Sequence, residues 1–134
     1  MGTRCAIGIV KDDGSIESIF CHYDGYISGV GATLLEFYNT KEKVVALMKC
    51  GHLCGIGACP SECIREDWST NVPNYYFKKL SKAFYENGSD DNGIGRNFEY
   101  LYFFKDGKWM VSYMKRTRDW YTWVRVVVPL DKAI

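Results

Sequence analysis

Two Asp-Gly steps, Asp13-Gly14 and Asp106-Gly107, constrain the fold of this chain more than any other feature. Each lies between runs rich in β-branched or aromatic residues, and Asp-Gly accepts the positive φ angles of a tight hairpin turn. The first step predicts strands over 4–10 and 15–23. Period two then places Cys5, Ile7 and Ile9 on one face and Ala6, Gly8 and Val10 on the other. On the second strand Ile16, Ser18, Phe20 and His22 oppose Glu17, Ile19, Cys21 and Tyr23. The second step predicts strands over 98–104 and 109–114, with a further strand over 120–128 ended by Pro129.

The chain between the hairpins reads as helical. Asp24-Gly25 turns out of the first hairpin, and Gly29 and Gly31 let the backbone around Val30 approach another element closely. A short helix is expected over 33–38. Asn39-Thr40-Lys41-Glu42 has the form of a capping box opening a second helix, whose apolar side is Val44, Val45, Leu47 and Met48 and whose stop is Gly51. Phe77, Leu80 and Phe84 predict a third helix over 75–85. Residues 87–93 are a polar loop. A length of 134 residues suits one domain, 1–134. The expected fold is α+β: an antiparallel sheet of the N-terminal hairpin and the C-terminal strands, packed against two or three helices.

Composition narrows the function classes. The net charge of +1 excludes a uniformly basic nucleic-acid sleeve and an acidic DNA mimic. No apolar run approaches the ~20 residues of a membrane span, and the N-terminus lacks a secretory pattern, so a soluble cytoplasmic protein without a membrane partner is expected. The six cysteines are then reduced thiols or metal ligands rather than disulfides.

Several segments resemble a known family. Met1-Gly2-Thr3-Arg4, Cys21-His22-x-Asp24-Gly25-Tyr26, Gly31-x-x-Leu34-Leu35-x-x-Tyr38, and Lys43-Val44-x-x-Leu47 with Gly51 together resemble small uncharacterised proteins of tailed phages and prophages. The likeness covers residues 1–51 and extends more weakly to the 98–109 hairpin. Tyr23 stands where that family often has Trp, and Ile27 where it often has Pro. The resemblance implies a viral or mobile-element origin and life in the cytoplasm of a bacterial host, without supplying a reaction.

Three groups of residues carry chemistry. His22 and Asp24 would share a face if the strand continued to Asp24, so that the carboxylate could orient the imidazole for acid–base or metal chemistry. The competing reading is a turn in which Asp24 serves the backbone. Strand alternation turns Cys21 away from His22. Cys50, Cys54, Cys59 and Cys63, with His52 among them, hold enough thiol to encircle a zinc ion, although the spacing is not that of paired CxxC knuckles; buried reduced thiols are the alternative. Trp109, Tyr113, Arg116, Arg118, Trp120, Trp123 and Arg125 could form a binding surface for a protein or a nucleotide. They could equally alternate between a core face and a wet face.

No phosphate-binding loop, HExxH or GxSxG motif is present. The first expectation is therefore a non-enzymatic phage-type protein that binds a host factor, for example to inhibit a bacterial defence system such as CRISPR–Cas. A nucleotide-sequestering module and a small His22/Asp24 or metal-dependent enzyme are the alternatives.

Overall fold

The structure, a computed structural model, describes residues 3–65, 99–119 and 123–133. In chain order these form β1 (Cys5–Val10), β2 (Ile16–Cys21), a wide turn (Ile27–Gly31) running into α1 (Ala32–Phe37), and α2 (Lys41–Met48). There follow β3 (Leu53–Gly55), a single tight turn (Pro60–Glu62), β4 (Ile64–Arg65), β5 (Tyr100–Lys105), β6 (Lys108–Arg116), β7 (Trp123–Pro129) and a last short helix, α3 (Leu130–Ala133). The helix expected over 75–85 and the loop over 87–93 lie outside the described residues.

Both Asp-Gly steps make hairpins. β1 and β2 pair antiparallel from Cys5 opposite Cys21 to Val10 opposite Ile16. Asp106 and Gly107 both take positive φ, 51° and 79°, as a two-residue turn between right-twisted strands requires. The expected antiparallel sheet needs one correction, because the sheet is mixed. Its seven strands run in the order β4-β3-β2-β1-β5-β6-β7. Within it β1 lies parallel to β5 and β2 parallel to β3, while the other neighbours are antiparallel. A parallel neighbour needs a crossover rather than a tight turn. The segment carrying α1 and α2 supplies that crossover from β2 to β3.

Alternation holds on the hairpin. Cys5, Ile7, Ile9, Ile19 and Cys21 face the main core with Tyr102, Phe104, Trp109 and Val111, against Val30, Leu34, Tyr38, Val44 and Leu47 of the helical segment. Ala6, Ile16, Phe20, Leu101 and Phe103 form a second buried cluster on the opposite face. The two central strands β1 and β5 are thus apolar on both sides, the pattern of strands covered on both faces.

The helical segment departs from expectation by one residue. Thr40, not Asn39, caps α2, and its hydroxyl accepts from the Lys43 N–H at 3.3 Å. Glu42 therefore sits at the second helical position and Lys43 at the third, so the reciprocal half of a capping box is absent. Gly51, at φ 75°, follows the end of the helix as expected. The glycines around Val30 do allow close approach. A Cβ on Gly29 would run into the Asp24 carbonyl, and one on Gly31 would lie 3.2 Å from Leu130 and 3.3 Å from the Tyr102 ring.

Tyr102 ties this corner to the sheet: its hydroxyl donates to the Gly25 carbonyl at 2.6 Å. Burial pushes its phenol well above the ordinary value, and burial followed by the neighbouring Cys63 does the same to Tyr38. Both phenols are neutral donors in the fold. Unfolded tyrosines lose their protons near pH ~10, before the folded ones do, so stability is complete below that pH and falls as pH rises beyond it. Tyr102→Phe is expected to cost about 1–3 kcal/mol at neutral pH, because the buried Gly25 carbonyl loses its donor. It should also flatten the alkaline decline of the thermal midpoint. Equal slopes for the two proteins, followed by circular dichroism, would contradict this role.

Candidate functional site

The Cys21-to-Tyr26 corner is built by the end of β2. Strand hydrogen bonding carries on to the edge of β3, where the His22 N–H donates to the Leu53 carbonyl at 3.0 Å and the Tyr23 N–H to the Cys54 carbonyl at 2.9 Å. Asp24 then adopts φ 60°. The extended alternation that would put His22 and Asp24 on one face therefore stops before Asp24. The His22 ring stacks on Tyr23, centroids 4.4 Å apart and planes 12° off parallel. The Asp24 carboxylate accepts from the Tyr26 hydroxyl at 3.3 Å, and its charge raises the Tyr26 phenol. The Asp24 carbonyl accepts from the Val30 N–H at 2.8 Å, closing the turn into the helical segment. Asp24 thus serves this corner through both its side chain and its backbone.

The cysteine segment gathers around Tyr38, at the end of α1. The Tyr38 hydroxyl donates to the Gly57 carbonyl at 2.7 Å and lies 3.6 Å from Cys63 Sγ. Cys63 Sγ accepts from the Gly57 N–H at 3.3 Å and donates to the Cys59 carbonyl at 3.6 Å. Cys50 lies at the end of α2, its thiol directed to the Ala46 and Pro60 carbonyls at 3.8 and 4.0 Å. Cys59 contacts the Ser61 hydroxyl at 3.2 Å, and Cys54 is carried on β3. Their sulfur contacts are thus largely to backbone and hydroxyl groups. Among the described residues no three His, Cys, Asp or Glu side chains converge as a metal set would.

His52 had no assigned role beyond its place among the cysteines. It is buried, and its Nδ1 accepts from the Phe20 N–H at 3.0 Å. The imidazole acts as an extra rung beside the short β2–β3 pairing. Nδ1 is therefore the unprotonated nitrogen, and the proton of the neutral ring sits on Nε2.

The aromatic and basic tail is divided by the sheet. Trp109 is 4% exposed, its Nε1 donates to the Tyr38 carbonyl at 2.8 Å, and its ring meets Phe104 edge-on at 5.1 Å. Tyr113 lies on the same face, stacked on Tyr100 at 5.8 Å. On the opposite face the half-buried Arg125 donates to the buried Ser112 hydroxyl at 3.0 Å, and burial lowers its guanidinium pKa. Arg118 is exposed in the connection after β6. The Arg116 side chain and Trp120 lie outside the described residues.

Trp123 is 52% exposed, and Met114 and Val124 are each 41% exposed. The register pairs Met114 with Arg125, Lys115 with Val124 and Arg116 with Trp123. Trp123, Met114 and Arg125 therefore share one face, and Val124 and Lys115 the other. Among the described residues β7 is an edge of the sheet. This end of the sheet offers Trp123 and Met114 beside Arg125 on one face and Val124 beside Lys115 on the other, a combination suited to gripping another chain. Neither Met114 nor Val124 stands out in the sequence as a contact residue. Their signal, two apolar residues at the connected end of the β6–β7 hairpin, appears only once the register is known.

Among the described residues no helix is long and apolar enough to cross a membrane. No protein-family model, curated protein or solved structure matches the chain.

Proposed function

We propose that the chain is a non-enzymatic binding protein that holds a partner protein with the end of β6 and β7 next to the connection between them. The observation that carries this reading is the half-exposed Trp123 on β7, an edge strand among the described residues, on one face with Met114 and Arg125, while Val124 and Lys115 are exposed on the other. A large rigid aromatic bordered by Arg is the composition of an interface hot spot. The near-zero net charge favours such a shape-based contact over charge mimicry. The resemblance of residues 1–51 to tailed-phage proteins supports a phage or prophage origin. In that setting the partner is a bacterial host factor, such as a component of a CRISPR–Cas defence system.

The test is affinity capture from bacterial lysate with the full chain and with Met114→Asp, read by quantitative mass spectrometry. A stoichiometric host protein retained by the wild type and depleted about tenfold or more by the variant is expected. Retention of no stoichiometric protein by the wild type would overturn the reading. Calorimetry against a nucleotide panel separates the sequestering alternative, because binding heat with a nucleotide and no protein partner would put that alternative in its place.

A further inference from the structure

The first register position of the N-terminal hairpin places two cysteines directly opposite one another. Cys5 opens β1 and Cys21 closes β2, and the two are cross-strand partners. Both side chains face the same core and are fully buried. Directly opposed residues of an antiparallel pair have Cα atoms about 4.5 or 5.5 Å apart, depending on their place in the ladder. Either spacing lies within the ~4.4–6.8 Å that a disulfide spans. Cys50, Cys59 and Cys63 instead direct their sulfurs to other groups, and Cys5 and Cys21 take no part in the contact surface on β6 and β7.

We infer that Cys5 and Cys21 form a reversible disulfide site that responds to small-molecule disulfides of the glutathione type. The position makes the pair reachable despite its burial. It lies at the end of the hairpin away from the Asp13-Gly14 turn, beside the exposed Tyr23-Asp24 corner, and a reagent reaches it when that corner opens locally, at lower cost than unfolding the whole domain. The two thiols also differ in the way exchange chemistry needs. Burial raises Cys5 and holds it as the thiol, whereas the hydrogen bond from Cys5 favours the thiolate at Cys21.

In the first step the Cys21 thiolate attacks one sulfur of oxidised glutathione. The oxidant's S–S bond breaks, and one glutathione thiolate leaves and takes a proton from solvent. In the second, Cys5 loses its proton to solvent and attacks the Cys21 sulfur of the mixed disulfide, releasing the second glutathione. The protein loses two electrons and two protons, and one glutathione disulfide becomes two thiols. The product joins the start of β1 to the end of β2, beneath the corner formed by Asp24 and Gly25. It also removes the thiol proton that Cys21 directs at the Tyr23 carbonyl, 3.7 Å away.

The test uses the folded full-length wild type, incubated with oxidised glutathione at neutral pH. Remaining thiols are blocked under denaturing conditions and the digest is mapped by mass spectrometry. The expected result is a peptide pair joined through Cys5 and Cys21, lighter by two hydrogens and separated by reductant. Cys5→Ser should leave Cys21 as a free thiol or a glutathione mixed disulfide. Should that variant fail to fold, the wild-type map alone decides. Recovery of both Cys5 and Cys21 as blocked free thiols while the exposed Cys59 carries glutathione would overturn the inference. Linkage of Cys21 to a cysteine of the 50–63 segment would do the same, as would a Cys5–Cys21 link that forms only in denaturant.

Discussion

Trp109→Ala is expected to lower the unfolding free energy by about 3–5 kcal/mol, the range for removing a large aromatic from a packed core. Three losses act together at this position. The indole fills the main core between β6 and the helical segment, and it makes an edge contact with Phe104 at 5.1 Å. Its Nε1–H also satisfies the Tyr38 carbonyl at 2.8 Å, just past the end of α1. Alanine would leave both a cavity and a buried carbonyl without its donor, each a distinct source of destabilisation. Against a total stability of ~5–15 kcal/mol for a domain, the variant should unfold at much lower denaturant concentration. Trp109→Phe keeps most of the volume and loses the donor, so it should fall between the two. Chemical denaturation followed by circular dichroism measures all three proteins. A loss below ~1 kcal/mol for Trp109→Ala would mean that the indole is not the core anchor described above.

Trp123→Ala should do the reverse. The side chain is half-exposed, so its removal is expected to change stability by no more than about 0.5 kcal/mol. Binding of the captured partner should nevertheless weaken about 30-fold or more, which corresponds to the ~2 kcal/mol that defines a hot spot. Lys115→Ala, on β6 at the other face of the same end of the sheet, should have a smaller effect carried mainly by association rate and salt dependence, as for a charge at an interface rim. Surface plasmon resonance with the partner identified by affinity capture measures both. An unchanged affinity for Trp123→Ala, with the fold intact, would remove this end of the sheet from the interface. Two tryptophans of one tail thus separate a folding role from a binding role.

Their sequence surroundings do not separate them. Trp109 follows Lys108 and Trp123 precedes Val124, and the sequence reads both as candidates for one binding surface with Arg118 and Arg125. Alternation would have distributed the tail between two faces, but it cannot say which face the helices cover. That depends on α1, whose end presents the Tyr38 carbonyl to the Trp109 indole 71 residues away in sequence. The same holds at the corner. The Cys-His-x-Asp-Gly-Tyr motif was legible as a junction between hairpin and helix. The positive φ of Asp24 that breaks the His22–Asp24 alignment is a property of the folded turn. His52 illustrates a further limit. Its sequence neighbours are cysteines, yet its hydrogen-bond partner is Phe20 on β2.

Short-range physics governs the parts of this fold that are legible in the chain. Asp-Gly dictated both hairpins, period-two alternation sorted Cys5, Ile7 and Ile9 from Ala6 and Val10, and a polar cap followed by Val44, Leu47 and Met48 specified α2. Each of these depends on dihedral preference or side-chain spacing within a few residues. Long-range packing set the parallel pairing of β1 with β5 and of β2 with β3, and the burial of Trp109 beside the exposure of Trp123. Those outcomes rest on hydrophobic burial between segments far apart in the chain. Burial is proportional to the area removed from water and indifferent to sequence distance, so no local pattern encodes it.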